Sequence, residues 1–351
     1  MIGNSTRAML EHSTAVLKLD LRNVYRYFDD PNVQEIMINS ADSIWIEQAG
    51  QLIKTPETLD TDILASVVTQ IANINGKSSS DSKLIDARLP GLRIAATLPP
   101  IAGDSASMSI RRHSSVVRDL NAYLKQGAFS AQWPQNKDRA RVTHTRPTDE
   151  QVGQGNEYVI QLLEWIIATR KNIAVTGSTS SGKTSLLNAI ALLIEPEHRV
   201  LTIEDTLELM LSVPNLVRFE ANQNYQVNIR ALVRHALRYR PTRILVGEIR
   251  GAEAFDMLDA YNTGHPGSMV SFHSDDATSA LHRLENMVRM APEAANWPLD
   301  DLRRQIAITF PFVIHQSLYE GMRGLNEIIE VQGVSSGSYI TKTLFKKTNP
   351  F

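Results

Sequence analysis

The sequence predicts an α/β fold in two parts, a smaller α+β domain followed by a larger domain built on a parallel sheet. Three observations predict it. The stretch Lys171-Asn-Ile-Ala-Val-Thr-Gly-Ser-Thr-Ser-Ser-Gly-Lys-Thr-Ser-Leu-Leu-Asn-Ala-Ile190 reads as strand, glycine-bounded loop and helix. Downstream of it, short apolar runs alternate with helical periodicity, as strands and helices of a parallel sheet do. Upstream, residues 1–127 mix β-branched runs, amphipathic helices and polar turns. At 351 residues the chain is long enough for two domains, each with its own core.

In the first domain, Leu10 to Phe28 has helical periodicity through Leu17, Leu21 and Tyr25, closed by Asp30-Pro31. Val33 to Asn39 and Ser43 to Glu47 follow as a helix end and strands, with Ala49-Gly50-Gln51 as the turn before Leu52-Ile53. Leu59 to Ile74 carries Leu64, Val67, Val68, Ile71 and Ala72 on one face, an amphipathic helix stopped near Gly76. Asp86 to Thr97 and Ser107 to Arg112 read as further strands. Arg93 and the pair Arg111-Arg112 are the sharpest charged features; by themselves they read as solvated arginines at strand ends.

Residues 128–156 are polar, carry two prolines and lack a period, which predicts an interdomain linker. Lys137, Arg139, Arg141 and Arg146 make it locally basic. A solvated linker is the plainer reading, and contact with a membrane surface or a partner stays open.

The second domain, 157–351, opens on the pattern G-x-x-x-x-G-K-T at Gly177 to Thr184. Backbone N–H groups of Gly177, Ser178, Thr179, Ser180, Ser181 and Gly182 must curl around a phosphate. A side chain at either glycine would obstruct that approach. Lys183 reaches the β/γ-phosphates and Thr184 offers a hydroxyl to Mg²⁺, while Ser185 continues the first helical turn at the dipole's positive end. Val200 to Ile203 is a strand delivering Glu204-Asp205 at its carboxyl end, where open α/β sheets bind ligands. An acidic pair there orients an attacking water or holds a metal's water shell; a capping Asp beside a surface Glu is the plainer alternative. Val227 to Arg240 is a helix ended by Pro241, and Ile244 to Gly247 is a strand ending in Glu248, placed for an acid near Mg²⁺. Ala252 to Tyr261 is helical, and Met269 to Phe272 is a strand holding His273 at its end, positioned to sense a γ-phosphate. Helices around Ala277 to Met290 and Asp300 to Thr309 follow. Phe312 to Glu320 and Gly324 to Gly333 are expected as hairpin-like strands packing the back of the domain.

Composition narrows the function. A formal net charge of -2 gives no global attraction to nucleic acid or anionic lipid, and no direct nucleic-acid binding is expected. Cysteine is absent, which excludes disulfides and thiolate metal sites and suits a reducing cytoplasm. No apolar run reaches the roughly 18 residues of a membrane span, and no signal-peptide pattern opens the chain.

Four segments together resemble the secretion ATPases of type IV secretion and conjugation systems, within the larger family that also drives type II secretion and type IV pili. These are the phosphate loop; Thr202-Ile-Glu-Asp-Thr-Leu-Glu-Leu209, similar to that family's aspartate box; Leu237 to Arg250, similar to its atypical Walker B; and Thr263 to His273, similar to its histidine box. Glu35 to Asn39 and Gly91 to Pro100 resemble its N-terminal segments, so about 300 residues share the likeness. Thr242 departs from an Asp common after the proline, and the linker looks longer than in compact relatives.

The resemblance implies a RecA-like second domain, ATP and Mg²⁺ as ligands, and a homohexameric ring working with inner-membrane secretion proteins from the cytoplasmic side. It implies Lys183 and Thr184 as nucleotide and Mg²⁺ ligands, Glu204 as general base, Glu248 as Walker B acid acting on Mg²⁺ through water, and His273 as sensor. It also implies that Arg93 and Arg111 reach the terminal phosphate, which reverses their plainer reading. A pilus or type II secretion motor is the nearest alternative, and a nucleic-acid motor or a non-hydrolysing nucleotide-switched scaffold is the alternative of another class.

Overall fold

A computed structural model describes residues 20–48, 50–75, 82–89, 91–112, 144–319 and 322–347. Most of the expected linker, with Lys137, Arg139 and Arg141, lies outside the described residues, as do Leu10 to Leu19, Ala49 and Gly76.

The first domain is one antiparallel sheet of six strands in the order β3-β2-β1-β6-β5-β4. The strands are β1 (Val33–Ser40), β2 (Ser43–Gln48), β3 (Gln51–Lys54), β4 (Leu84–Leu89), β5 (Leu92–Thr97) and β6 (Ser107–Arg112). Helix α1 (Arg22–Asp29) precedes them and α2 (Thr61–Ile74) interrupts them. The Asp60 side chain caps α2 by accepting from the backbone N–H of Asp62 and Ile63, a cap worth about 1 kcal/mol. One sheet face, with Ile36, Ile38, Ile94, Ala96, Met108 and Ile110, forms a core with Leu64, Val67, Val68 and Ile71 of α2. The side chains alternate across the pleat, so Glu35, Met37 and Asn39, Arg93, Ala95 and Thr97, and Ser107, Ser109 and Arg111 share the other face.

The second domain is an eight-stranded sheet ordered β14-β13-β12-β7-β11-β10-β8-β9. Strands β7 (Ile173–Gly177), β8 (Arg199–Glu204), β9 (Asn215–Glu220), β10 (Arg243–Val246), β11 (Met269–Phe272) and β12 (Phe312–Tyr319) run parallel. β13 (Met322–Ser335) and β14 (Ser338–Lys346) extend the sheet antiparallel. Every residue of β7, β8, β10 and β11 is buried, the physical reason these strands read as unbroken apolar runs. The helices are α3 (Asp149–Gly153), α4 (Glu157–Ala168), α5 (Lys183–Ala191), α6 (Ile229–Ala236), α7 (Glu253–Asn262), α8 (Ala277–Arg289) and α9 (Leu299–Thr309).

Three expectations change. The strands from Phe312 and Gly324 are not at the back: β12 pairs with β7 from Phe312↔Ile173 to Gln316↔Gly177 and flanks the phosphate loop. Strands β9 and β14 were not read from the sequence, because β9 alternates burial and β14 is largely exposed. The end of the expected linker is structured: Thr148 and Gln151 form a reciprocal capping box on α3, and Arg146 binds both carboxylate oxygens of Glu330 at 2.8 and 2.9 Å.

The domains meet along β9 and at the amino-terminal ends of the parallel strands, and at the far end of β9 the Glu220 N–H donates to the Ile101 carbonyl at 2.9 Å. Arg199, fully buried at the start of β8, donates to Asn39 Oδ1 at 2.6 Å, Asn215 Oδ1 at 2.8 Å and the Tyr239 carbonyl at 2.8 Å. Tyr239 Oη lies 2.7 Å from Thr97 Oγ1 and donates to the Ser107 carbonyl at 3.1 Å. Arg240 pairs with Glu47 and Arg238 with Asp86.

Candidate functional site

The phosphate loop joins β7 to α5 at the carboxyl edge of the sheet. Gly177 is required because a Cβ there would overlap the Gln316 carbonyl and crowd Ser181 Oγ. Gly182 takes φ +92°, a left-handed conformation that turns the chain into α5. Ser178, Thr179, Ser180 and Ser185 are exposed, whereas Ser181 is buried with its Oγ unpaired. Lys183, 8% exposed, donates through Nζ to the carbonyls of Gly177 and Ser178 at 3.1 and 3.0 Å and to His273 Nδ1 at 3.3 Å. Burial lowers the ammonium pKa, with Arg250 adding to the fall and Glu248 opposing it.

His273, at the end of β11, links this lysine to an acid. Its Nε2 lies 3.1 Å from Glu248 Oε1. With an ammonium donor at Nδ1, the ring proton sits on Nε2 and is donated to the carboxylate. Glu248 also accepts from Arg250 Nε and Nη2 at 3.1 and 3.2 Å. Burial would raise the Glu248 carboxyl, but Arg250, His273 and Lys183 outweigh it and hold the pKa below the ordinary value.

Glu204 differs in kind. It is 2% exposed at the end of β8. Oε1 accepts from the backbone N–H of Glu208 and Leu209 at 2.9 and 2.8 Å, while Oε2 is buried and unpaired. Burial raises its pKa despite those two N–H groups and Arg218. It lines one polar cleft with Thr184, Asp205, Glu208, Gly247, Glu248 and Arg250. Gly247 leaves the space Glu204 needs, since a Cβ there would come within 2.9 Å of Glu204 Cγ.

Thus Lys183, Thr184, Glu204, Glu248 and His273 converge, whereas Arg93 and Arg111 do not join them within the chain. Arg111 pairs with Glu35 at 3.1 Å, on the sheet face that docks near the start of β8. The six residues of β8 separate that end from Glu204 by about 16 Å. On this face the register aligns Arg88, Arg93, Arg111, Glu35 and Glu47 in one row across five strands. Glu47 is taken by Arg240 and Glu35 by Arg111; Arg93 has no partner among the described residues. Arg88 was missed because only the register places it beside Arg93.

Two site residues near the cleft were also missed. Glu208 Oε2 accepts the Thr184 hydroxyl at 3.2 Å, and Arg250 grips Glu248. Both lie inside segments already singled out, four residues after Glu204 and two after Glu248, so spacing was the available signal.

Known proteins resemble this chain in sequence and fold. Residues 140–333 match the family described as type II/IV secretion system protein. The chain belongs to that family. It is 30% identical over 313 residues to the type IV secretion system protein VirB11 of Brucella suis, covering 86% of this chain and 85% of that one. It is 29% identical over 320 residues to the conjugal transfer protein TrbB of Rhizobium radiobacter, covering 90% and 88%. Among solved structures, the VirB11 ATPase of the Brucella suis type IV secretion system, in complex with sulphate, superposes with a TM-score of 0.79 at 29% identity, covering 91% of this chain and 95% of that one. For this family member the fold is therefore the RecA-like α/β domain preceded by a separate sheet domain. The family match runs from residue 140, within the expected linker, to residue 333 in β13, and the whole-chain likeness brings in the first domain as well.

Proposed function

We propose that this chain is the traffic ATPase of a type IV secretion or conjugation apparatus, hydrolysing ATP in a homohexameric ring at the inner membrane. The chain is an enzyme, an ATP hydrolase. The observation that carries the reading is the unpaired Oε2 of Glu204, a buried acceptor in the same cleft as Thr184 and Glu248. A buried carboxylate oxygen without a donor is costly, and a nucleophilic water is the donor it suits. Glu204, its pKa raised by burial, is a better base than an ordinary glutamate because it holds an abstracted proton more firmly.

Lys183 would leave the loop carbonyls for the nucleotide's β/γ-phosphates, and the exposed loop N–H groups complete the cradle. The donors lining the cleft fit Mg²⁺: the Thr184 hydroxyl would be a ligand, and Glu248, kept ionised, would hold a water of the ion. When bound, Mg²⁺ supplies neutralisation of phosphoryl oxygen charge. His273, bridging Lys183 and Glu248, registers whether Lys183 faces the loop or the phosphate. Arg93 and Arg111 act from a neighbouring subunit on the terminal phosphate; a row with three arginines and one locally engaged glutamate between them and Glu47 is an anion-seeking surface. Partners at the membrane and the transported substrate belong to this proposal as expectations from the relatives.

The test is ATP turnover per subunit against protein concentration, for wild type and Arg111→Ala. Activity per subunit that climbs steeply with concentration and is mostly lost in Arg111→Ala is expected. Flat activity with a dispensable arginine would mean that each chain works alone, ending both the ring and the action in trans.

A further inference from the structure

Two side chains beside the phosphate loop take no part in the chemistry above. Gln316 ends the pairing of β12 with β7, directly opposite Gly177. It is 8% exposed, yet its Oε1 has no hydrogen-bond partner. The pairing of β12 with β13 shifts between His315 and Gln316, an irregularity that re-aims a side chain.

Arg323 stands on β13 opposite Leu318, and Leu325 opposite Gln316, so these four share one sheet face. Leu325 packs against the core cluster that contains Leu187 and Ile190 of α5, which identifies this as the face carrying the phosphate-loop helix. A Cβ on Gly182 would lie 3.6 Å from Arg323 Cδ and 4.0 Å from Gln316 Nε2. Arg323 is exposed and has no hydrogen bond or ion pair among the described residues. A free guanidinium therefore stands at the mouth of an anion-binding helix terminus, above a buried acceptor that lacks a donor.

We infer that Arg323 binds the nucleotide held in its own subunit's loop, through the α/β-phosphate edge, and that Gln316 positions it by accepting one guanidinium N–H at Oε1. The inference rests on ATP occupying the loop as proposed above. A guanidinium fork matches two phosphate oxygens, and its planarity needs a fixed acceptor behind it to hold the orientation. The two arginine sets then read different groups: Arg93 and Arg111 the terminal phosphate from a neighbour, Arg323 the diphosphate in cis. A diphosphate contact does not distinguish ATP from ADP, nor adenine from guanine.

The experiment is equilibrium binding of ATP, ADP and GTP to the full chain, with steady-state ATP turnover, for wild type, Arg323→Ala, Gln316→Ala and the double variant. Arg323→Ala is expected to raise Kd about tenfold for all three nucleotides and KM likewise, with kcat within about twofold, the signature of lost uniform binding. Gln316→Ala is expected to weaken binding about threefold alone and to add nothing to Arg323→Ala, as a residue acting through another must. Unchanged affinities in Arg323→Ala, a loss confined to ATP, or a loss for ATP without GTP would each overturn the inference while the wild-type chain still binds nucleotide. Wild type binding no nucleotide would instead remove the reading of the loop, and this inference with it.

Discussion

The two ends of the parallel strands bury cations in opposite ways. At the amino-terminal end, Arg199 gives three hydrogen bonds to neutral oxygens spanning both domains. Burial holds its pKa down at about 10, still far enough above neutrality to keep the charge. At the carboxyl end, Lys183 is bonded to two loop carbonyls and one imidazole, and Glu204, in the cleft at the same edge of the sheet, keeps an unpaired oxygen. The amino-terminal end is closed by hydrogen bonds between the two domains, with Arg199 Nη2 and Asn215 Nδ2 left unpaired inside it; the carboxyl end opens into a polar cleft lined by Glu204. The difference separates a joint from a binding site, although both are charged and buried.

The largest expected effect tests the cleft. Glu204→Gln should leave ATP affinity within about twofold and lower turnover by at least about a hundredfold. The same change should not destabilise the fold. Because burial raises the Glu204 pKa, the folded state holds the proton more tightly than the unfolded chain. The ionised carboxylate therefore subtracts stability at neutral pH, and that cost fades as pH falls through the raised folded value. A glutamine removes it, so urea unfolding should show equal or greater stability. Turnover of the wild type should fall with acid at a pH above the ordinary glutamate value of 4.5. Equal turnover in Glu204→Gln would take this carboxylate out of the mechanism, and a clear loss of stability would make it another structural joint.

The sequence legibility of the two ends is unequal for the same reason. The carboxyl-end residues recur at strand termini in fixed spacings, so Lys183, Thr184, Glu204, Glu248 and His273 could be placed before any coordinates. What they could not convey was which groups touch: the Lys183–His273–Glu248 chain joins the first turn of α5 to the ends of β11 and β10, and β11 sits beside β7 only through the strand order of the sheet. Gln316 and Arg323 were invisible because the strand order around β7 had not been assigned, and β12 was expected elsewhere. The interdomain joint was unreadable in a stronger sense. Arg199 and Asn215 carry no motif, Asn39 and Tyr239 lie in family-like segments that do not say what they touch, and a fully buried arginine contradicts the usual expectation for its type. Helices α2 and α5 to α9 and the buried strands β7, β8, β10 and β11, by contrast, followed from periodicity and apolar runs, whereas α3 lies in the expected linker and α4 was not expected.

A smaller effect probes the joint. Asn39→Ala removes the 2.6 Å acceptor of Arg199 Nη1 and, with it, a hydrogen bond between Asn39 and Asn215. Arg199 Nη2 is already unpaired, so the guanidinium has no slack to absorb the loss. A hydrogen bond to a buried charge is worth about 1.5–3 kcal/mol, and urea unfolding should register a destabilisation of about 2 kcal/mol. Nucleotide affinity should be unaffected, because the site lies at the other end of β8. A change under about 0.5 kcal/mol would mean that solvent reaches this end and that the contrast with the carboxyl edge is one of degree.

The smallest expected effect separates the two domains' contributions at that joint. Tyr239 is fully buried, and desolvation raises its hydroxyl pKa, so it stays neutral and acts as a donor and acceptor. Its ring packs edge-on against Phe219 at 5.0 Å within the second domain, whereas its hydroxyl reaches Thr97 and Ser107 of the first. Tyr239→Phe keeps the ring contact and deletes only the hydroxyl. Thr97 Oγ1 retains His235 Nε2 at 3.1 Å, so the main cost is at Ser107, whose carbonyl loses its donor and whose Oγ loses its partner at 3.3 Å. The expected loss is about 1 kcal/mol. It should fall on interdomain docking, read as faster hydrogen exchange around Thr97 and Ser107 at the interface, with the second domain's own unfolding unchanged. Destabilisation of the second domain instead would show that Tyr239 serves its own core first, and that Arg199 and its two asparagines carry the docking without it.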